Sequence, residues 1–147
     1  MAEEKKDGFS GSCLCGAVHY ECNAAPEFIG QCHCEDCRKT SGTDHATNLM
    51  VPEESFRVTG TVKFFSRPAD SGHVVARGFC PECGASIYAR NSAMPGHVFV
   101  RASSLDDLEI AKPNIIVFAS RAPSWRHLDP DIPAFAEMPD RDARPDV

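Results

Sequence analysis

No stretch of this 147-residue chain is apolar for long enough to cross a bilayer, so a membrane partner is not expected. Positive charge is also scarce: 15 Lys and Arg stand against 21 Asp and Glu, a formal charge of −6. Phosphate-neutralising charge supplies most nucleic-acid affinity. Pairs such as Arg121 with Arg126, or Arg38 with Lys39, are too small to reverse the acidic balance, and nucleic acid is not an expected partner. Internal repeats and low-complexity linkers are absent. The length allows one modest core, hence a single domain. The start, Met1-Ala-Glu-Glu-Lys-Lys-Asp7, has no apolar leader segment, which points to a cytoplasmic chain.

Cysteine is what the chain has in quantity. Seven of its eight cysteines form three tight groups: Cys13-Leu-Cys15, Cys32-His-Cys-Glu-Asp-Cys37 and Cys80-Pro-Glu-Cys83. In a reducing compartment such clusters mean metal or catalysis rather than disulfides. Divided as four and three, the thiolates make one closed tetrahedral zinc site and one with an open position. Two Zn²⁺ per chain are therefore expected, one structural and one catalytic.

The polar ends, residues 1–8 and 137–147, read as flexible tails around one domain at 9–136. Within it the pattern is strand-like. Val18, Tyr20 and Cys22 alternate with polar neighbours, and further strands are expected at 45–51, 55–59, 62–66, 73–79, 85–90, 97–102 and 115–119. Residues 34–41 give one helical turn, stopped by Gly42. The fold class is mainly β, with antiparallel sheets and metal ligands in the connections.

In the closed site, two residues between Cys80 and Cys83 let both sulfurs face one ion, and Gly84 permits the left-handed turn that a knuckle needs. Cys13 and Cys15 supply the other pair. The metal then closes a loop of the 64 residues between Cys15 and Cys80 and acts as a staple. In the open site, Cys32, Cys34 and Cys37 leave one exchangeable position. A sulfur-rich ion suits a soft incoming ligand, so capture of a substrate thiol near a carbonyl carbon is the expected chemistry. His45 is the best histidine for a fourth ligand or an acid–base group, although a structural role is commoner. His33 is expected to point away, and Cys22 to be a buried inert thiol. Glu35 and Asp36 are candidate bases, although acidic residues in a first helical turn usually just suit the macrodipole, and Arg38, Lys39 and Thr40 either orient an anionic substrate or are simply solvated. Trp125 and Phe135 cover a pocket or help form a dimer surface, although aromatic residues near a C-terminus are more often core.

The segments Gly11-Ser-Cys-Leu-Cys-Gly-Ala-Val18, Cys32-His-Cys-Glu-Asp-Cys-Arg-Lys-Thr-Ser-Gly42 and Gly78-Phe-Cys-Pro-Glu-Cys-Gly84 resemble the glutathione-dependent formaldehyde-activating enzymes and the centromere protein V proteins. Arg101-Ala-Ser-Ser-Leu-Asp-Asp107 and Ser120-Arg-Ala-Pro-Ser-Trp125 extend the resemblance, which runs from about Gly11 to Phe135. It implies a zinc-bound β-tent fold similar to that of a small Rab-binding zinc chaperone. It also implies a structural zinc on Cys13, Cys15, Cys80 and Cys83, and an open one on Cys32, Cys34 and Cys37. The implied activity is carbon–sulfur lyase: reversible joining of formaldehyde to glutathione as S-hydroxymethylglutathione. The expected partner is thus a small thiol or aldehyde. The competing readings are a zinc module that binds a protein and a redox or metal sensor whose exposed cysteine triple oxidises.

Overall fold

The computed structural model describes residues 8–139; residues 1–7 and 140–147, most of the two expected tails, lie outside the described residues. Ten strands make two sheets. β1 (Phe9–Ser12), β2 (His19–Cys22) and β5 (Phe56–Thr59) form a small antiparallel sheet in the order β1-β2-β5. The larger sheet contains β3 (Phe28–Cys32), β4 (Ala46–Pro52), β6 (Lys63–Pro68), β7 (Val74–Phe79), β8 (Ser86–Asn91), β9 (His97–Arg101) and β10 (Ile115–Val117). Its order is β10-β3-β4-β9-β8-β7-β6. The α-helix among the described residues is α1 (Glu35–Lys39). No helix there is long and apolar enough to cross a membrane.

Alternation along the strands decides what is buried. Leu49 and Val51 of β4 pair in register with Val100 and Val98 of β9, and all four are fully buried. Each such aliphatic side chain contributes roughly 1.5–3 kcal/mol on leaving water. The small sheet joins this core through Tyr20, whose ring lies 5.0 Å from that of Phe56; Phe56 in turn lies 4.8 Å from Tyr88 of β8. Cys22 is buried here and contacts Ser55 Oγ at 3.4 Å, away from the cysteine clusters.

One pairing departs from the antiparallel expectation. β10 runs parallel to β3. A chain that crosses the whole sheet before returning is free of hairpin geometry and can enter in either sense. Beyond β10 the chain returns alongside it: Ile116 N donates to Pro133 O at 2.9 Å and Phe135 N to Ile116 O at 2.8 Å. That return covers an edge that would otherwise offer unpaired backbone groups.

Candidate metal centres

The turns between β1 and β2 and between β7 and β8 carry the first centre. Both close through a glycine in left-handed conformation, Gly16 at φ +84° and Gly84 at φ +79°. Gly84 N donates to Cys80 O at 2.8 Å, and Cys13 N to Val18 O at 2.9 Å. These turns bring the sulfurs of Cys13, Cys15, Cys80 and Cys83 within 4.8 Å of one another. Sγ of Cys15 is 3.7 Å from Cys13 and 3.8 Å from Cys80. A tetrahedron with zinc–sulfur bonds of about 2.3 Å has edges of about 3.8 Å, so four thiolates fit one ion. Backbone donors already face the sulfurs, with Val18 N 3.2 Å from Cys13 and Glu82 N 3.4 Å from Cys80. Backbone N–H groups of Ala85 and Cys15 hold the Cys83 thiol down to about 6. All eight cysteines are free.

The second group stands where β3 runs into α1. Cys32 ends the strand, Cys34 caps the helix with its sulfur 3.4 Å from Cys37 N, and Cys37 lies on the helix's buried side. The three sulfurs also lie within 4.8 Å of one another, and among the described residues no fourth His, Cys, Asp or Glu joins that group. Hydrogen bonds from Cys32 and then Cys37 hold the Cys34 thiol well below its ordinary value. The bonds to Cys34 and Cys37, with burial, push Cys32 far up. Mutual hydrogen bonding thus favours a first thiolate at Cys34 and opposes ionisation of Cys32 and Cys37, an opposition that a divalent cation would relieve.

Two cations face this anion. Arg101 of β9 is 6 % exposed, and burial lowers its basicity while the three thiols raise it. Its guanidinium donates to Asn48 Oδ1 at 3.1 Å, Thr40 O at 3.3 Å and Thr40 Oγ1 at 3.3 Å. Arg77 of β7 acts on Cys34 through its charge and lies 3.9 Å from Asp36. Phe28, Phe118 and Phe135 pack against Cys32, Cys37 and their apolar neighbours. Phe118 sits there in a left-handed backbone conformation at φ 54° and ψ 37°, which a bulky residue adopts only when its surroundings enforce it.

The remaining sequence-picked residues divide plainly. Glu35 pairs with Lys39 at 2.9 Å and Asp36 with Arg67 at 3.7 Å. Arg38 and Lys39 are exposed, whereas Thr40 caps the helix and receives Arg101. Trp125 is 65 % exposed, so it is not core. Phe135, in contrast, is half-buried against the apolar cluster that includes Cys32 and Cys37. His33 is buried, and His45 falls beside it and Asp44 in a separate group rather than with the thiols. Arg77, Phe28 and Phe118 carried no local signal; sheet register brings them in from distant segments.

Over residues 8–121 the chain matches the family described as glutathione-dependent formaldehyde-activating enzyme. The chain belongs to that family. A crystal structure of a Rhodobacter sphaeroides protein, a Northeast Structural Genomics target, is similar in fold: TM-score 0.54 at 20 % identity, over 71 % of this chain and 96 % of that one. The family suggests glutathione-dependent formaldehyde activation, and the two cysteine clusters could hold zinc.

Proposed function

We propose that this chain is a zinc-dependent carbon–sulfur lyase acting on a thiol–aldehyde adduct of the S-hydroxymethylglutathione kind. Cys13, Cys15, Cys80 and Cys83 would hold a structural zinc; Cys32, Cys34 and Cys37 would hold the catalytic one. The observation that carries the reading is a three-thiol group without a fourth protein donor among the described residues, faced by two guanidinium groups, in a chain of this family. Zinc at the trio would supply a soft Lewis acid that favours the thiolate form of an incoming thiol.

In the joining direction the substrate thiol loses its proton and its sulfur lone pair forms the bond to the aldehyde carbon. The carbonyl π pair moves onto oxygen, which takes up a proton. The reverse reaction breaks the same carbon–sulfur bond. Arg77 and Arg101 offset the negative charge that gathers as thiols ionise, and the positive field favours a thiol that carries carboxylates. Phe28, Phe118 and Phe135 limit water around the sulfurs. A chain working through seven reduced thiols fits the cytoplasm.

The deciding experiment pairs two substitutions with a thiol-and-formaldehyde assay on protein carrying two zincs. Cys37→Ser should abolish adduct formation while far-UV circular dichroism and the melting transition persist. Cys83→Ser should unfold the domain. Equal collapse of both variants would make the second centre structural and remove the lyase reading.

A further inference from the structure

A third donor group stands apart from both cysteine centres. His33, Asp44 and His45 place three ligand atoms within 4.8 Å of one another, with no sulfur among them. His33 is 1 % exposed, yet neither of its ring nitrogens makes a hydrogen bond of ordinary length and angle, and a weak approach to the Asp44 backbone offsets its burial only in part. A buried polar group left unpaired is costly, and such an imidazole calls for an ion or a water. Its Nδ1 lies 3.9 Å from Asp44 Oδ2, while Nδ1 of His45 lies 3.3 Å from Asp44 Oδ1. Ligands about 2.1 Å from a common ion stand about 3.0–3.4 Å apart, so little closure separates this arrangement from a coordination sphere.

Asp44 is held for the purpose. Arg126 grips it through both oxygens, Nε to Oδ2 at 2.7 Å and Nη2 to Oδ1 at 2.7 Å, and Thr43 Oγ1 adds 3.0 Å to Oδ1. Oδ1 is taken up by Arg126 and Thr43, whereas Oδ2 accepts from Arg126 Nε and keeps a second lone pair on the oxygen nearer His33. The guanidinium therefore orients the carboxylate without using all its donor capacity, as partners behind metal ligands do. Its positive charge makes the site weaker than a thiolate centre. His45 also lines a cleft of about 210 Å³ with Gln31, Lys112, Arg126 and His127, which gives an ion a route from solvent.

We propose that His33, Asp44 and His45 form a third metal site, a two-histidine, one-carboxylate set for a divalent transition-metal ion of borderline hardness. That donor set binds an ion on one side and leaves positions for a small ligand from the cleft. The inference does not depend on the lyase reading, because turnover is not its readout.

Wild-type protein brought to two zincs per chain, with weakly held zinc removed by dialysis, and titrated with Co²⁺ alone tests it. One ion per chain should bind beyond those held by the thiolates, with weak d–d absorption and without the intense charge-transfer bands of cobalt–thiolate bonds. Asp44→Asn and His45→Ala should each weaken that ion at least about tenfold while keeping the thiolate-held zinc. Asp44→Asn also disturbs Arg126 and could loosen the fold; His45→Ala leaves the Asp44–Arg126 pair in place and keeps the test decisive. No additional ion in the wild type, an additional ion unaffected in His45→Ala, or cobalt appearing only with thiolate bands would overturn the site.

Discussion

A guanidinium buried as deeply as Arg101 is costly unless negative charge faces it. The thiol trio is that charge, so the residue and the cluster depend on each other. Arg101→Gln is expected to weaken zinc at Cys32, Cys34 and Cys37 by about 10–100-fold, measured by competition with a chromophoric chelator. Arg101→Lys should recover only part of this, because a single ammonium cannot reach Asn48 and both Thr40 oxygens together. Tyr20 gives a pH-dependent prediction of a different kind. Burial pushes its phenol well up, and the hydroxyl stays bonded to Ser104 at 2.7 Å. A raised folded-state value means that the stabilisation is whole below the unfolded value of about 10 and is lost as pH rises beyond it. Tyr20→Phe cannot ionise. In urea unfolding it should therefore lose less stability than wild type between about pH 10 and 11.5.

At the scale of elements, β10 is the piece that completes the apolar wall of the trio, and Asn114 sets its start. Asn114 Oδ1 accepts from Ile29 N at 2.9 Å, tying the turn before β10 to β3. Asn114→Ala leaves that strand donor unpaired and should cost about 1–3 kcal/mol, read from the shift of the urea midpoint. The eight strands expected from alternation and turn signals all occur, each within two residues of its expected bounds, and α1 falls inside the expected turn. The two strands not anticipated, β1 and β3, both contain a glycine that spoils the periodic signal. Gly11 is required because a Cβ there would strike the Tyr20 ring and the Ser104 carbonyl. At Gly30 a Cβ would come within 3.2 Å of Ile115 Cγ2, so a close approach of β10 asks for glycine. Close packing between segments far apart in the chain hid these strands. The cysteine spacings, by contrast, are local, and the sequence alone grouped the sulfurs as the fold does. His45, for which a structural role is the commoner expectation, stands beside Asp44 and His33 rather than with the thiols, and Asp44 is in turn held by the distant Arg126.

For the whole molecule, the four-cysteine centre joins the small sheet to the far half of the large one, at Cys13 and Cys15 on one side and Cys80 and Cys83 on the other. A core of this size leaves a narrow margin of stability. Chelation with excess EDTA or a stronger thiol-competing ligand should therefore abolish the cooperative melt, and re-addition of zinc should restore it. One contact links the two centres. The Thr40 carbonyl at the end of α1 accepts from Ser86 Oγ at 2.8 Å, and Ser86 lies two residues beyond Gly84 of the knuckle. An ion in the knuckle would hold the turn before Ser86, Ser86 bonds the end of α1, and α1 carries Cys37. Whatever filling the knuckle adds to the affinity of the trio through this contact, filling the trio adds equally to the knuckle, so in a cell short of zinc the two centres of one chain would share their ions rather than compete for them.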